Sequence, residues 1–360
     1  MNPLFSYLIS TNGIVRVCFV ALAVLAGAPR GLGAAAEPVF PAQEWTVATP
    51  AQQEMDGNRL VALDAKIGGR GVVVRNGYLV HSWGTLQRRG DWYSASNPLL
   101  STLLFFAIEE GRLDGVRHLV ADFYWDFDSK DRGISFWHLA NMTSGYSRPE
   151  PAGTAFGFNQ YGIQLLQMSL FDRVFNAPPV AVLLQRDRLG PLQFQDRPVF
   201  RERTNTLLAS VRDFARIAWF WCQKGKWGER QLLPKHYFEE YCRPQVSDEI
   251  ALTADVEAND YLHIGNYRNE SDYFGDSGPG VYGFHWWFNA QKGQGREGLV
   301  WPDAPEDTML SVGIRGNVAV IIPSLNLVLV SAFSDWGSFA PDDPDSHFNE
   351  FLGELVGAVQ

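Results

Sequence analysis

The stretch DWYSASNPLLSTLLFFAIEEG, residues 91–111, sets a serine hydroxyl in front of a long apolar run. Ser94 falls where a helix would begin. A serine held there attacks a carbonyl carbon if a neighbour accepts its proton. A lysine one helical turn on, in the pattern S-x-x-K, is one way to supply that neighbour. The third residue after Ser94 is Asn97, whose amide neither takes a proton at pH 7 nor carries a positive charge. No serine in the chain has lysine three residues on. The candidate nucleophile therefore has another base or none.

The elements that would position Ser94 come from both ends of the chain. After an extended lead-in (37–52), GVVVRNGYLVHSWG (71–84) alternates and turns at Asn76-Gly77, a strong tight-turn signal. The helix carrying Ser94 should run from about Pro98 to Glu110 and stop at Gly111. SVRDFARIAWFWCQKG (210–225) has helical periodicity, with Ser210 and Asp213 as a start and Gly225 as a stop. Strands return in YGFHWWFN (282–289), MLSVGI (309–314), NVAVIIP (317–323) and NLVLVSAF (326–333), and HFNEFLGELVGAV (347–359) reads as a closing helix. The expected class is α+β. One antiparallel sheet, from about 60–90 and 281–335, is flanked by helices, and a mostly helical lobe spans about 112–280. The cleft between sheet and lobe is the natural ligand site.

Composition narrows the partners. The 360 residues are 46% hydrophobic and 19% charged, with 12 tryptophans and a net charge of -10, which argues against a nucleic-acid partner. Residues 1–36 read as a secretory signal. Arg16 precedes the apolar run VCFVALAVLAGA (17–28), too short for a comfortable membrane span, and GLGAAA (31–36) supplies small residues for cleavage near Ala36. The mature domain is then 37–360, exported to a periplasm or beyond, with no stable membrane span. Only Cys222 and Cys242 remain in it, free to pair or to stay apart. Two cysteines and seven histidines without ligand spacing imply no metal, and no motif implies a cofactor.

Five segments, in order, resemble the serine β-lactamase and penicillin-binding-protein fold, especially its class C β-lactamase and esterase-like branch, over most of residues 60–335. YSASNPLLSTLLFFAIEEGRL (93–113) is similar to the nucleophile helix and ISFWHLANMTSGY (134–146) to the segment ending in T-S-G. PAGTAFGFNQYGIQLL (151–166) is similar to the segment carrying Y-S-N, RDFARIAWFWCQKGKWGERQLLP (212–234) to the helix that follows, and SVGIRGNVAVIIPSLNLVLV (311–330) to the last strand pair.

The resemblance implies three active-site motifs, and each departs here. Asn97 replaces the lysine of S-x-x-K. At the Y-x-N place stands Phe158-Asn159-Gln160, so the phenol is lost and Gln160 replaces the amide; Tyr161 is a weaker substitute. At the K-T-G place stands Ile314-Arg315-Gly316, so Ile314 replaces the cation, Gly316 is kept, and Arg315 should point to the other face of the strand. YRN (267–269) and HIG (263–265) match motif letters outside the aligned segments. The oxyanion hole, implied at the backbone of Ser94 and near Asn317, survives side-chain change. His138 and Thr143-Ser144-Gly145 read as structural support. Trp286, Trp287 and Trp301 read as core, or as a stacking wall for sugars or peptides.

The expectation is an exported protein of this fold with a degraded catalytic centre, little or no hydrolase activity, and a cleft for a cell-wall peptide, amide or ester. The alternative is a working esterase, amidase or peptidase that uses Ser94 with a different base, such as an acid from the 146–156 or 267–276 loops.

Overall fold

Asn76 and Gly77 take φ of +53° and +86°, the left-handed pair that a two-residue hairpin requires. They join strands β1 (Arg70–Arg75) and β2 (Tyr78–Trp83) of the computed structural model. It describes residues 37–201, 206–266, 278–291, 298–340 and 342–360. The segment 1–36, the 267–269 tripeptide and the 267–276 loop lie outside the described residues.

Before β1, residues 57–67 form helix α1 (Gly57–Ile67), where the sequence suggested the start of the sheet. Asp56 caps its N-terminus by accepting from the Asn58 and Arg59 amides, and Leu60, Leu63 and Ile67 bury one face. Helices α2 (Asn97–Glu109), α3 (Gln160–Met168) and α4 (Val211–Cys222) follow. The sheet then resumes with β3 (Tyr282–Gly283), β4 (Trp286–Phe288), β5 (Met309–Gly313), β6 (Asn317–Ile322) and β7 (Leu327–Ala332), and helix α5 (Phe348–Gly357) closes the chain. The sheet order is β3-β4-β5-β6-β7-β1-β2, and every pairing is antiparallel. Both ends of the chain thus build one sheet.

YGFHWWFN is not one strand. Phe284 and His285 have φ of +46° and +70° and turn β3 into β4, with Tyr282 opposite Trp287 and Gly283 opposite Trp286. Neither residue favours that conformation, so the turn is held from outside. The Phe284 amide donates to Asn141 Oδ1 at 2.9 Å, and His285 Nδ1 meets the Ser101 hydroxyl at 2.7 Å.

Ser210 caps α4 by accepting from the Asp213 amide, and α4 packs across β1, β6 and β7. Its buried Arg216 donates to the carbonyls of Ala42, Gln43 and Leu192, binding the extended lead-in to the core. Trp286, Trp287 and Trp301 are all buried, so they are core and form no open stacking wall. Cys222 and Cys242 are free thiols, and burial pushes the Cys222 thiol up to about 12. No described helix is long and apolar enough to cross a membrane.

Candidate active site

Ser94 lies on a single 3-10 turn, Tyr93–Ser96, that runs into α2 at Asn97, with Pro98 supplying the fixed φ favoured at a helix start. The turn is clamped from four sides. Asp91 accepts from the Tyr93 amide at 2.9 Å and from Arg201 at 3.1 Å. Trp92 stacks on Phe214 of α4 at 3.8 Å between ring centres and donates to the Ala209 carbonyl. The Ser96 hydroxyl donates to the Tyr93 carbonyl at 2.7 Å. From the sheet, the Ser311 hydroxyl donates to the Ala95 carbonyl. Tyr93 has φ of +47°, a conformation that costs a residue with a side chain about 1–3 kcal/mol and is therefore sustained by these clamps.

Strand β5 reaches the turn through Gly313. A Cβ there would stand 2.7 Å from both the Ala95 amide nitrogen and the Trp92 carbonyl oxygen, so only glycine lets the strand lie this close. Ser311 and Gly313 are the strand residues that meet the Ser94 turn. The sequence reading expected Ile314-Arg315-Gly316 at this place. Ile314 is 42% exposed on the β5–β6 turn and does not line the space at Ser94. Arg315 holds φ of +64° beside it, exposed, with its guanidinium 5.8 Å from the Tyr93 ring centre. Gly316 serves the turn itself, because a Cβ would come within 1.9 Å of the Ser334 carbonyl. The Asn317 side chain is a structural bracket. Its Nδ2 donates to the Asp91 carbonyl at 2.9 Å and its Oδ1 accepts from the Phe333 amide at 3.2 Å.

The space beside Ser94 is small and lined by Tyr93, Ser94, Asn97, Thr206 and four residues of α3. Those four are Gln160, Ile163, Gln164 and Gln167, which share one helix face. Its volume is about 10 Å³, near that of one water. Asn159 caps α3 by accepting from the Gly162 amide at 3.0 Å and anchors it by donating to the Tyr146 carbonyl at 2.6 Å.

Asn97 and Gln160 thus stand at Ser94 as expected, and Phe158 does not. Without a hydroxyl its ring joins the aromatic core, 6.4 Å from Tyr282 and 6.5 Å from Trp287. Tyr161 also lies outside the lining, packed on the core. Gln164, Gln167 and Thr206 were missed. Gln160, Gln164 and Gln167 recur at i, i+4 and i+7, the signal that could have found two of them.

The Ser94 hydroxyl makes no hydrogen bond to any described residue. Asn97 is 4% exposed and Gln167 is 3% exposed, yet Asn97 Nδ2 and Gln167 Oε1 have no partner. A buried polar atom left unpaired costs about 1–3 kcal/mol. The acid of the 146–156 loop, Glu150, is committed elsewhere, accepting from Thr253 at 2.6 Å and the Ala254 amide at 2.8 Å. His263 and Gly265 form a loop turn around Asp260, which accepts from the Ile264 and Gly265 amides. His138 is structural, its Nδ1 accepting from the Ser135 amide at 3.1 Å. No cluster of three metal-binding side chains occurs among the described residues.

Solved structures share this arrangement of sheet and helices. A putative 6-aminohexanoate-dimer hydrolase from Bacillus anthracis aligns over 89% of this chain and 87% of its own, with a TM-score of 0.59 and 15% identity. A β-lactamase from Mycobacterium bovis aligns over 84% and 100%, with a TM-score of 0.56 and 16% identity. A penicillin-binding-protein homologue from Caulobacter crescentus aligns over 87% and 98%, with a TM-score of 0.58 and 11% identity. The fold is that of the β-lactamase and penicillin-binding-protein serine hydrolases. No family model and no curated protein matches the sequence. At these identities the likeness is one of fold, and the chemistry rests on the residues around Ser94.

Proposed function

We propose that this β-lactamase-fold protein uses the Ser94 cleft to bind a small peptide, amide or ester ligand, and that it is a poor acyl-transfer catalyst. One observation carries the reading: at the position of a proton-accepting lysine the cleft has Asn97, a buried neutral amide with an unpaired Nδ2. An attacking Ser94 must lose its proton to water or to a weak neighbour. Loss of a general base typically costs about 10²–10⁴-fold in rate. Without Phe158 or Ile314 in the cleft, neither supplies a substitute.

Intact-mass spectrometry of the protein with a fluorophosphonate tests this. The expected result is slow, incomplete labelling. Fast stoichiometric labelling, lost in Ser94→Ala, overturns it in favour of a working hydrolase with another base.

We further propose that residues 1–36 are an export signal removed near Ala36. The support is Arg16, the apolar run 17–28 and the small residues at 31–36. N-terminal sequencing of protein recovered from the cell envelope should begin near Glu37, and a retained Met1 would refute it.

A further inference from the structure

Strand β1 opens on an arginine that has no counter-ion. Arg70 is 7% exposed, and among the described residues it makes no hydrogen bond and no ion pair. Its Nε is sealed from solvent without a partner, while Nη1 and Nη2, equally unpaired, stay open to it. The side chain is fixed from three sides. The Phe333 ring faces the guanidinium carbon at 4.7 Å. A Cβ on Gly84 would stand 2.6 Å from the Arg70 Cβ, and one on Gly90 would stand 2.5 Å from Nη2. The 84–90 loop therefore curls around Arg70, with glycine at both points of contact.

That loop, GTLQRRG, brings further cations and no acid. Arg88 is exposed, and its side chain makes no hydrogen bond or ion pair among the described residues. Arg89 is engaged elsewhere, its Nη1 donating to the Arg197 carbonyl at 3.0 Å. The first acid after the loop, Asp91, accepts from the Tyr93 amide and from Arg201. Burial, and then the charge of Arg88, push the Arg70 guanidinium below its ordinary range, and no described carboxylate offsets them. The chain carries 40 acidic residues against 30 basic ones, yet none of the described acids pairs here. A guanidinium this far out of water without an anion is costly. A carboxylate or phosphate accepting from the Nη edge would offset that cost, and the fork is already held for two-point contact. Packing on Phe333 accounts for the face of the guanidinium and leaves its edge unused.

We propose that Arg70 and Arg88 form a binding site for an oxyanion, a carboxylate or a phosphate, at the start of β1 and apart from the Ser94 cavity. The proposal does not depend on how Ser94 is read.

The test is a titration of the purified protein in chloride buffer at fixed ionic strength, with sodium acetate and inorganic phosphate as probes. NMR and thermal melting are the two readouts. The sealed Arg70 Nε–H should exchange slowly with water, so its signal, assigned by its loss in Arg70→Lys, reports the site directly. At least one probe should shift that signal saturably in the millimolar range and raise the melting temperature above the chloride control. Tighter binding of acetate assigns a carboxylate ligand, and tighter binding of phosphate assigns a phosphorylated one. Arg88→Ala, on the exposed loop, should weaken binding by about tenfold. Arg88→Glu should abolish it, because the new carboxylate repels the anion and competes for Arg70. Both variants leave Arg70 in place, so the melting readout tests the idea even if Arg70→Lys fails to fold. No saturable response to either probe, or unchanged affinity in either Arg88 variant, overturns the proposal and leaves Arg70 as a packing residue.

Discussion

Helix α2 and the turn before it carry two serines with opposite surroundings. Ser94 opens onto a cavity, and its hydroxyl has no hydrogen-bond partner among the described residues. Ser101, two helical turns on, meets His285 Nδ1 at 2.7 Å, with both residues buried. One serine has access without a base, and the other has a base without access. Acyl transfer needs both at one atom, so a serine–histidine contact alone does not locate catalysis. Ser101 and His285 instead hold the Phe284-His285 turn, whose two positive φ values local preference would not select.

The largest expected effect tests the closed pair. Burial pushes His285 down to about 3 from an ordinary 6.5. Between those values the unfolded chain holds the proton and the folded chain does not, so stability rises with pH across that window. The contribution is fully present above about 6.5 and is lost as the pH falls toward 3, reaching about 3 kcal/mol by pH 4. Urea melts at pH 7 and pH 4 should show that loss, and His285→Gln should reduce it. Equal losses in the two proteins would mean that the ring is not held neutral.

Giving the open serine a base is the converse experiment. Asn97→Lys should raise fluorophosphonate labelling at Ser94 by about 10²-fold. Labelling that stays slow in a folded Asn97→Lys protein would show that the cleft, not the base, limits the chemistry.

A smaller contrast separates Gly313, at the end of β5, from Ile314 on the turn beside it. Gly313→Ala drives a Cβ into the Ser94 turn and should cost about 1–3 kcal/mol. Ile314→Ala, on the exposed turn, should stay within about 0.5 kcal/mol and leave Ser94 labelling unchanged. Thermal melts rank the two, and equal effects would place the strand contact elsewhere.

Much of this protein was legible in its sequence wherever the signal is local. Alternation and the Asn76-Gly77 turn defined the first hairpin, because few residues adopt its φ values at low cost. The Ser94 turn and Asn97 followed from a serine ahead of an apolar helix, and Gln160 from the resemblance of residues 151–166 to the segment carrying Y-S-N. Other features depend on contacts that no local pattern encodes. Gly313 and Gly316 are three residues apart and look alike, but one meets the Ser94 turn and the other the Ser334 carbonyl after β7. Phe158 has the place of a phenol, yet an apolar ring gains more among Tyr282 and Trp287 than in a polar cavity. The sequence alone determined the antiparallel sheet, the place of Ser94 ahead of its helix and the asparagine three residues on, since these follow from periodicity, turn chemistry and residue type. Tertiary structure alone decided which glycine meets the Ser94 turn, which glutamines line the space beside it and which serine meets a histidine. Those outcomes depend on which surfaces pack together across hundreds of residues.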